Sequence, residues 1–323
     1  MKTLVTGGAG YIGSVCVEQL LDAGHEVTVF DNLSEGHAAA VDPRARFVQG
    51  CLSAPESIDA ALNASGAEAV LHFAASALVG ESMRDPAKYF RNNVAHGLNL
   101  LEACVACGVK KFVFSSTCAT YGVPERVPMD ETLPQRPINP YGESKLMFER
   151  MLEWYRQIHG LEFVAFRYFN AAGASARFGE HHRVETHLIP NIVEAALGRA
   201  PHIAIFGADY PTPDGTCIRD FIHVIDLADA HIRALAPGTC GFFNLGNGDG
   251  YSVRQVIQSC ERIIGRAIPV VEQPRRPGDP PRLVASAAKA RRELGWIPKF
   301  PRLDDIVATA WDWHRKHPDG YPD

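Results

Sequence analysis

The sequence lacks any long hydrophobic run and any excess of positive charge. No stretch approaches the ~20 apolar residues that a membrane span needs, and the first residues resemble a strand rather than a signal peptide. The 32 Lys and Arg residues are outnumbered by 37 Asp and Glu residues, which gives a net charge of -5. This balance disfavours nucleic acid or another polyanion as a partner. We therefore expect partners that include neither a membrane nor a nucleic acid.

The eight cysteines are scattered through predicted core elements, which is typical of a reducing compartment, and we expect the cytosol. Cys104 and Cys107 form one C-x-x-C inside a predicted helix with no second pair, so we interpret them as residues that fill the helix. His181, His182 and His187 lie in a polar loop without ligand-like spacing. We therefore expect solvated histidines there and no metal site.

Glycine, in contrast, is regularly placed near the start of the chain. Gly7, Gly10 and Gly13 recur every three residues between a predicted strand over residues 2–6 and a predicted helix that continues over residues 14–21. Such a turn lets the backbone approach a pyrophosphate closely, and it directs the positive end of the helix dipole at that anion. The pattern predicts a dinucleotide-binding unit.

Asp31 refines this prediction. It ends a second predicted strand over residues 26–30, about 20 residues after the glycines. An acid at this point can accept hydrogen bonds from both ribose hydroxyls of NAD, and it would repel the 2′-phosphate of NADP. We therefore predict that the opening unit binds NAD rather than NADP.

Strand and helix patterns alternate through the first half of the chain. The predicted strands cover residues 2–6, 26–30, 46–48, 69–73, 111–115 and 163–167, and the predicted helices cover residues 14–21, 57–63, 86–107 and 141–159. This alternation predicts an α/β fold, a doubly wound parallel sheet of the Rossmann type. After Asn170 glycine and proline are frequent, and only modest helices are predicted, over residues 188–197, 253–264 and 303–313.

We divide the chain accordingly. An NAD-binding domain is predicted over residues 1–170, and a smaller α/β substrate-binding lobe over residues 171–323. Roughly residues 217–245 are expected to return and pack on the first domain. The lobe would then close over the carboxyl edge of the sheet, where ligands of doubly wound folds bind.

Tyr141 and Lys145 are candidates for acid–base chemistry. They are four residues apart at the start of a predicted helix, with Asn139 as its cap and Pro140 as its first residue, so both lie on one face. A free phenol has a pKa near ~10, and a base that works near neutrality needs a shift of about 3 units, or roughly 4 kcal/mol. One ammonium at ~4 Å supplies on the order of 4 kcal/mol at an effective dielectric constant of about 20. Thr117, after the preceding strand, is placed to hold a reacting hydroxyl against this base.

With these residues in view, the chain resembles the extended short-chain dehydrogenase/reductase family. The resemblance lies in residues 6–13, 31–33, 72–75, 92–94, 115–117, 141–145 and 167–170. Motifs in the second half are similar to those of one group within that family, the UDP-glucose 4-epimerases, and cover residues 205–207, 209–212, 214–216, 219–224 and 275–279. The resemblance extends over nearly the whole chain.

The resemblance implies a tightly held NAD, a UDP-sugar substrate and a transient 4-keto sugar. It implies that Tyr141 is the base, Lys145 its electrostatic partner and Thr117 the residue that binds the reacting hydroxyl. Cofactor contacts would come from Gly7, Gly10, Tyr11, Ile12, Gly13, Asp31, Asn32, Cys51, Leu52, Phe73, Ala74, Ala75, Asn92, Ser115, Tyr141, Lys145 and Tyr168. Substrate contacts would come from Thr117, Tyr141, His187, Leu188 and Leu283, with Asn170, Arg219 and Arg276 at the phosphates, Asp279 at the uridine ribose and Phe206 at the uracil.

Three positions depart from what is usual in the family, and a fourth, Leu283, bears on the sugar that fits; one of the three is Ala77, which stands where some members carry a lysine. Cys51 stands where an acid usually contacts the adenine, and His187 stands where an asparagine is often found. Leu283 stands where some members carry a tyrosine that excludes N-acetylated sugars. A 4-epimerase of UDP-N-acetylglucosamine or of a UDP-uronate therefore stays open as an alternative.

Other activities on the same scaffold are disfavoured by the residues present. A 4,6-dehydratase needs an acid pair just after the threonine, and Cys118 and Ala119 stand there instead. A non-catalytic NAD-binding regulator would be expected to lose Tyr141 or Lys145, and both are present. It stays the less favoured alternative.

The resemblance also implies a homodimer packed through the helices over residues 86–107 and 141–159. An apolar stripe on the first of these helices is compatible with such packing, although stripes of this kind are more often core than interface. The stripe consists of Val94, Leu98, Leu101 and Val105.

Overall fold

The computed structural model describes residues 1–276 and 279–322. Positions 277 and 278 of the predicted motif over residues 275–279 therefore lie outside the described residues. The strands are β1 (Lys2–Thr6), β2 (Glu26–Asp31), β3 (Arg46–Gln49), β4 (Ala69–His72), β5 (Lys111–Thr117), β6 (Glu162–Tyr168), β7 (Asn170–Ala172), β8 (Ile203–Phe206), β9 (Ile218–Arg219), β10 (Phe221–His223), β11 (Gly241–Leu245), β12 (Tyr251–Ser252), β13 (Val270–Gln273) and β14 (Arg282–Leu283).

Helices follow most of the long strands. They are α1 (Tyr11–Asp22), α2 (Pro55–Ser65), α3 (Val79–Ser82), α4 (Pro86–Tyr89), α5 (His96–Ala106), α6 (Pro140–His159), α7 (Leu188–Ala196), α8 (Val224–Arg233), α9 (Val253–Ile264), α10 (Ala288–Leu294) and α11 (Leu303–Lys316). No helix in the described part of the chain combines the length and apolar character that crossing a bilayer requires.

A parallel sheet of seven strands forms the centre, in the order β11-β6-β5-β4-β1-β2-β3. The order reverses between β1 and β4, so the carboxyl ends of these strands open a crevice where a doubly wound fold binds its ligand. Every residue of β5 is buried, as is expected of a strand with both faces covered. The predicted doubly wound α/β fold is confirmed.

Two hydrophobic layers cover the sheet. On one face, α1 packs against α8, and Val17, Leu20 and Leu227 are fully buried there. On the other face, α2, α5 and α6 contribute side chains such as Leu100 and Phe148, which are also fully buried. Burial of this kind stabilises a fold by roughly 25 cal/mol per Å² of apolar surface. The layers hold the strand ends, and the side chains on them, in fixed positions.

The helix predicted over residues 86–107 is interrupted. It consists of α4, a π-helical turn at Phe90–Ala95, and α5. Within the wider turn, the Asn93 side chain accepts from Ser76 N at 2.9 Å and donates to Ser144 Oγ at 3.0 Å. The interruption brings this segment against the start of α6. A π-turn of this kind is common at functional sites.

The second half of the chain builds smaller units. β13 pairs with β8, and β9 lies between β12 and β14. The helices α7, α9 and α11 enclose a third apolar cluster. β11 leaves this region and joins the central sheet beside β6. The predicted boundary at residue 170 stays a prediction.

Candidate functional site

The glycine turn is the first part of the site. Gly7 has a φ of +74°, and a Cβ at this position would lie 2.5 Å from Ala74 N. A Cβ on Gly13 would lie 2.1 Å from the carbonyl oxygen of Gly7. Only glycine fits at both positions. Gly10 caps α1 with no side-chain hydrogen bond, so the first amides of the helix, at Tyr11 and Ile12, face the crevice end of the sheet and suit a phosphate.

Asp31 lies at the carboxyl end of β2, beside this turn. Its carboxylate accepts from Ala9 N at 3.0 Å and from Leu33 N at 2.8 Å. Burial raises the pKa of Asp31, although these amides act in the opposite direction. Asn32 Oδ1 accepts from Ser34 N at 3.0 Å, which fixes the amide next to the acid. Both side chains stand where the predicted adenosine ribose would lie.

Cys51 lies close to this pair. Its thiol is 3.7 Å from Asn32 Nδ2 and receives a hydrogen bond from Ser53 Oγ at 3.1 Å. Although burial acts to raise the pKa of Cys51, these hydrogen bonds lower it overall. The carbonyl of the buried Leu52 accepts from Asn99 Nδ2 at 2.9 Å. The thiol thus takes the position of the usual acid without a carboxylate to bind the adenine amino group.

The opposite wall of the crevice comes from the segment after β4. The amides of Phe73 and Ala74 both donate to the Thr6 carbonyl, at 2.9 and 3.1 Å, which holds this segment and Ala75 beside the glycine turn. Asn92 Nδ2 donates to Ser76 Oγ at 3.3 Å from the π-helical turn. The structure therefore brings the predicted cofactor contacts of three separate segments to one edge of the sheet.

Tyr141, Thr117 and Lys145 meet at the same edge. Asn139 Oδ1 accepts from Gly142 N at 2.8 Å and caps α6, as the sequence predicts. Thr117 ends β5 and hydrogen-bonds to the phenol of Tyr141. Lys145 is only 3% exposed, and its Nζ donates to the carbonyl oxygen of Ser115 at 2.7 Å. The helix start and the strand end thus hold three candidate catalytic groups together.

The ionisation of these groups differs from the sequence-based expectation. In the protein alone, burial raises the pKa of Tyr141 to about 12, against the lowering effect of the Thr117 hydrogen bond. Burial also lowers the pKa of Lys145 to about 7, against the raising effect of Glu149. The contribution predicted for the ammonium did not include the cost of desolvation, and the burial of both groups adds that cost. Loss of water around both groups penalises their charged forms more than they stabilise each other.

Further residues around Lys145 are not evident from the motif. Glu149 lies one turn along α6, is 1% exposed, and forms an ion pair with Arg167 at 2.6 Å. His72 Nδ1 lies 2.7 Å from Thr6 Oγ1, and burial lowers the pKa of this imidazole to about 3. Glu149 could have been found from the sequence, because its i, i+4 spacing from Lys145 places both side chains on one face of the helix.

Tyr168 lies next to the catalytic groups, at the end of β6. Its hydroxyl forms a hydrogen bond with Ser115 Oγ, and burial raises the pKa of Tyr168. The two side chains connect neighbouring strands at the floor of the crevice. The predicted contact of Tyr168 with the nicotinamide stays a prediction.

The predicted substrate residues of the second lobe form two pairs. Arg219, at the end of β9, forms an ion pair with Asp279 and also donates to the carbonyl of Ile218 at 2.8 Å. The guanidinium of Arg276 lies over the ring of Phe206, 3.9 Å from its centroid. Arg276 therefore lies on an aromatic ring that can stack on a base, and Arg219 is held by Asp279, three residues after Arg276; both guanidinium groups can bind phosphate.

Three further substrate candidates lie on the walls between the lobes. Asn170 Nδ2 donates to the carbonyl of Asp220 at 2.8 Å, so its amide is held by the backbone. Leu283 packs against the cluster that contains Phe169 and Tyr121. Leu188 begins α7 and packs against the third apolar cluster.

His187 has partners that the sequence interpretation missed. Its Nδ1 lies 2.9 Å from Glu180 Oε1 and 3.0 Å from Glu185 Oε1, and His182 contacts the same two carboxylates. His182 and His187 are therefore paired with carboxylates, which the sequence interpretation did not include, although His187 is also exposed to solvent as expected. That interpretation considered the histidines alone, whereas the signal is the spacing of both residue types, E-x-H-x-x-E-x-H.

Comparisons with known proteins establish the family of this chain. The sequence profile described as the NAD dependent epimerase/dehydratase family matches residues 3–246. A UDP-glucose 4-epimerase from Lacticaseibacillus casei is 49% identical over 329 residues, which cover 100% of this chain and 99% of that protein.

Solved structures extend the similarity to three dimensions. The crystal structure of UDP-glucose 4-epimerase from Brucella ovis in complex with NAD is 47% identical, with a TM-score of 0.93 over 96% of this chain and 97% of that one. The enzyme from Bifidobacterium longum in complex with NAD+ and UDP is 35% identical, with a TM-score of 0.95 over 99% of this chain and 100% of that one. On the profile match, the full-length similarity and the shared fold, this chain belongs to the NAD dependent epimerase/dehydratase family.

Proposed function

We propose that this chain interconverts UDP-galactose and UDP-glucose as a UDP-glucose 4-epimerase with tightly bound NAD. The observation that carries the proposal is the meeting of Thr117, Tyr141 and Lys145 at the crevice, between the glycine turn and the Arg219–Asp279 pair. The names of the relatives at about half identity over the full chain support it. The glycine cradle, in which a Cβ would collide with backbone, fits a pyrophosphate.

The chain's own residues would carry the proton chemistry. When bound, NAD supplies a hydride acceptor that serves as the donor in the second half of the cycle. Thr117 holds the sugar 4-hydroxyl against Tyr141 Oη, which takes its proton and later returns it. Lys145, fixed by the carbonyl of Ser115, stabilises the phenolate while Tyr141 lacks its proton.

The second lobe would bind the nucleotide. Arg219 and Arg276 can exchange their present partners, Asp279 and Phe206, for the diphosphate. Asp279 would then accept from the uridine ribose, and Phe206 would stack on the uracil. Asn170 would stand beside the phosphates.

The test is conversion of UDP-galactose by the purified protein without added cofactor. We expect UDP-glucose to accumulate to a constant ratio of the two sugars, read by NMR, with no net change in bound NAD. A simple dehydrogenase would need added NAD and would consume it. Absence of UDP-glucose with NAD bound would contradict the proposal.

A second substrate is favoured by Leu283, whose side chain leaves space where a tyrosine would project. A structure of a UDP-Glc/GlcNAc 4-epimerase from Campylobacter jejuni is 42% identical to this chain, with a TM-score of 0.85. We propose that UDP-N-acetylglucosamine is also epimerised here. Leu283→Tyr should then lose turnover of the N-acetylated sugar and keep that of UDP-glucose; equal loss of both would reject this role.

We also propose a homodimer through α5 and α6. Leu101 of the predicted stripe is buried in the core, whereas Leu98 points outward. On α6, Trp154 and Ile158 are 60% and 65% exposed, which is unusual for large apolar side chains. Trp154→Glu should convert a dimer to a monomer in light scattering. A monomeric unmodified chain would reject the proposal.

A further inference from the structure

A cluster of metal-binding side chains lies outside the catalytic groups, in the loop that leads into α7. It consists of Glu180, His182, Glu185 and His187, which we call the EHEH cluster. One donor atom from each residue can be chosen so that all four lie within 4.8 Å of one another. The four residues fall within eight positions of the chain, so the loop folds back on itself to bring them together.

The distances match those around a tetrahedral ion. His187 Nδ1 lies 2.9 Å from Glu180 Oε1 and 3.0 Å from Glu185 Oε1. His182 Nδ1 lies 3.4 Å from Glu180 Oε1 and 3.2 Å from Glu185 Oε2. Zinc binds imidazole nitrogen and carboxylate oxygen at ~2.0–2.2 Å, which separates the donors of a tetrahedron by about 3.3–3.5 Å. The four histidine–carboxylate separations are therefore within a few tenths of an ångström of those values, and all four donor atoms lie within 4.8 Å of one another.

Hydrogen bonds account for only part of this arrangement, in which Glu185 Oε1 also accepts from the amides of Thr186 and His187 at 2.8 and 2.7 Å. Each imidazole presents the same nitrogen, Nδ1, to two carboxylates, yet one N–H can point along only one direction. A cation between the four groups would bond to every one of them. The geometry is therefore that of ligands that converge on a point.

The charge of the cluster also favours a cation. Glu180 is 5% exposed, and the ring of Tyr11 makes an edge contact with His182 at 6.2 Å, which closes one side. Two carboxylates held this close and partly away from water repel each other unless positive charge lies between them. A divalent metal ion between the two carboxylates would supply that charge.

We infer that the EHEH cluster is a structural site for one divalent transition-metal ion of the zinc type. Four protein ligands leave no open position, which distinguishes a structural site from a catalytic one. The ion would tie the loop to the start of α7, and His187 would then be a metal ligand instead of the substrate contact that the resemblance implies. This inference does not depend on which sugar the protein epimerises.

The test measures metal binding directly. The NAD-loaded protein is treated with a chelator, desalted, and titrated with Zn²⁺, and bound metal is counted by mass spectrometry. We expect one Zn²⁺ per chain. Co²⁺ in its place should give the visible absorption of a tetrahedral site, a readout independent of catalysis.

Variants separate this site from casual surface binding. His182→Ala and Glu180→Gln should each bind Zn²⁺ more than about 10-fold more weakly, since even the outer partners of a ligand contribute that much. His202→Ala, which removes an exposed histidine outside the cluster, should bind as the unmodified chain does. If a variant fails to fold, the Co²⁺ spectrum of the unmodified chain decides. No stoichiometric Zn²⁺ in that chain, or equal affinity in a folded His182→Ala, would overturn the inference.

Discussion

Replacement of the Tyr141 phenol is the most direct perturbation of the proposed chemistry. Tyr141→Phe removes the only atom of this side chain that can accept the proton of the sugar hydroxyl, while the ring still fills its place beside Tyr89. General acid–base groups contribute roughly 10²–10⁴-fold to rate, so kcat should fall by that factor, or about 3–5 kcal/mol.

The pKa of Tyr141 in the protein alone sets the size of the shift that the phenol needs before it can act as a base. With a pKa of about 12 in the protein alone, Tyr141 must be shifted by about 4 units, or ~5.4 kcal/mol, to act as a base near pH 8. A positive charge at ~4 Å supplies about 4 kcal/mol at an effective dielectric constant of about 20. One charge is therefore insufficient, and two are enough. The two available are the positive ring of oxidised nicotinamide and Lys145, which carries its proton near pH 8 only when the phenolate forms beside it, because burial lowers the pKa of Lys145 to about 7.

Because only the oxidised nicotinamide carries a positive charge, the pKa of the Tyr141 phenol should be several units lower with oxidised than with reduced cofactor. The assay is an ultraviolet pH titration of both forms, with Tyr141→Phe subtracted, together with kcat for UDP-galactose. Tyr155→Phe, on the same helix, is the matched control and should keep the normal rate. A Tyr141→Phe variant at full speed, or equal ionisation in both cofactor states, would refute the reasoning.

Three further predictions concern stability and cofactor retention. Gly13→Ala should lose bound NAD, because its Cβ would lie 2.1 Å from a backbone oxygen; the NAD that stays bound is measured by absorbance after desalting. At Gly80 a Cβ would have no neighbour within 4 Å, so Gly80→Ala should retain NAD. Arg167→Met leaves a buried carboxylate unpaired and should lower the free energy of unfolding in urea by ~3–5 kcal/mol. Arg315→Ala, which breaks an exposed ion pair, should lower it by less than about 1 kcal/mol. Similar losses in the two variants would contradict this prediction. Four buried histidines, including His231, have pKa values that burial lowers to about 3 or 4. Below pH ~6.5 the unfolded chain binds more protons than the folded one, so the free energy of unfolding should decrease as the pH is lowered, by up to ~1.4 kcal/mol per pH unit for each histidine. His231→Leu should make this decrease shallower when unfolding by urea is measured at several pH values. An unchanged slope would contradict the prediction.

Much of the fold and part of the site follow from local sequence patterns. The strand–turn–helix at Gly7, the acid at the end of β2, and the capped start of α6 each depend on residues within a few positions of one another. The steric demands of glycine, helical periodicity and side-chain capping act over that range. The alternation of strands and helices therefore predicted the doubly wound sheet, and with it the crevice where Thr117 and Tyr141 meet.

The tertiary structure decided what depends on burial and on distant neighbours. The phenol of Tyr141 is less acidic than the sequence suggested because the packed crevice removes water from it and from Lys145. The same holds for the pairing of Arg219 with Asp279, which joins residues 60 positions apart. Sequence spacing states which groups can lie on one face, but the free energy of a charge depends on how much water surrounds it and on which partners the rest of the chain brings to it.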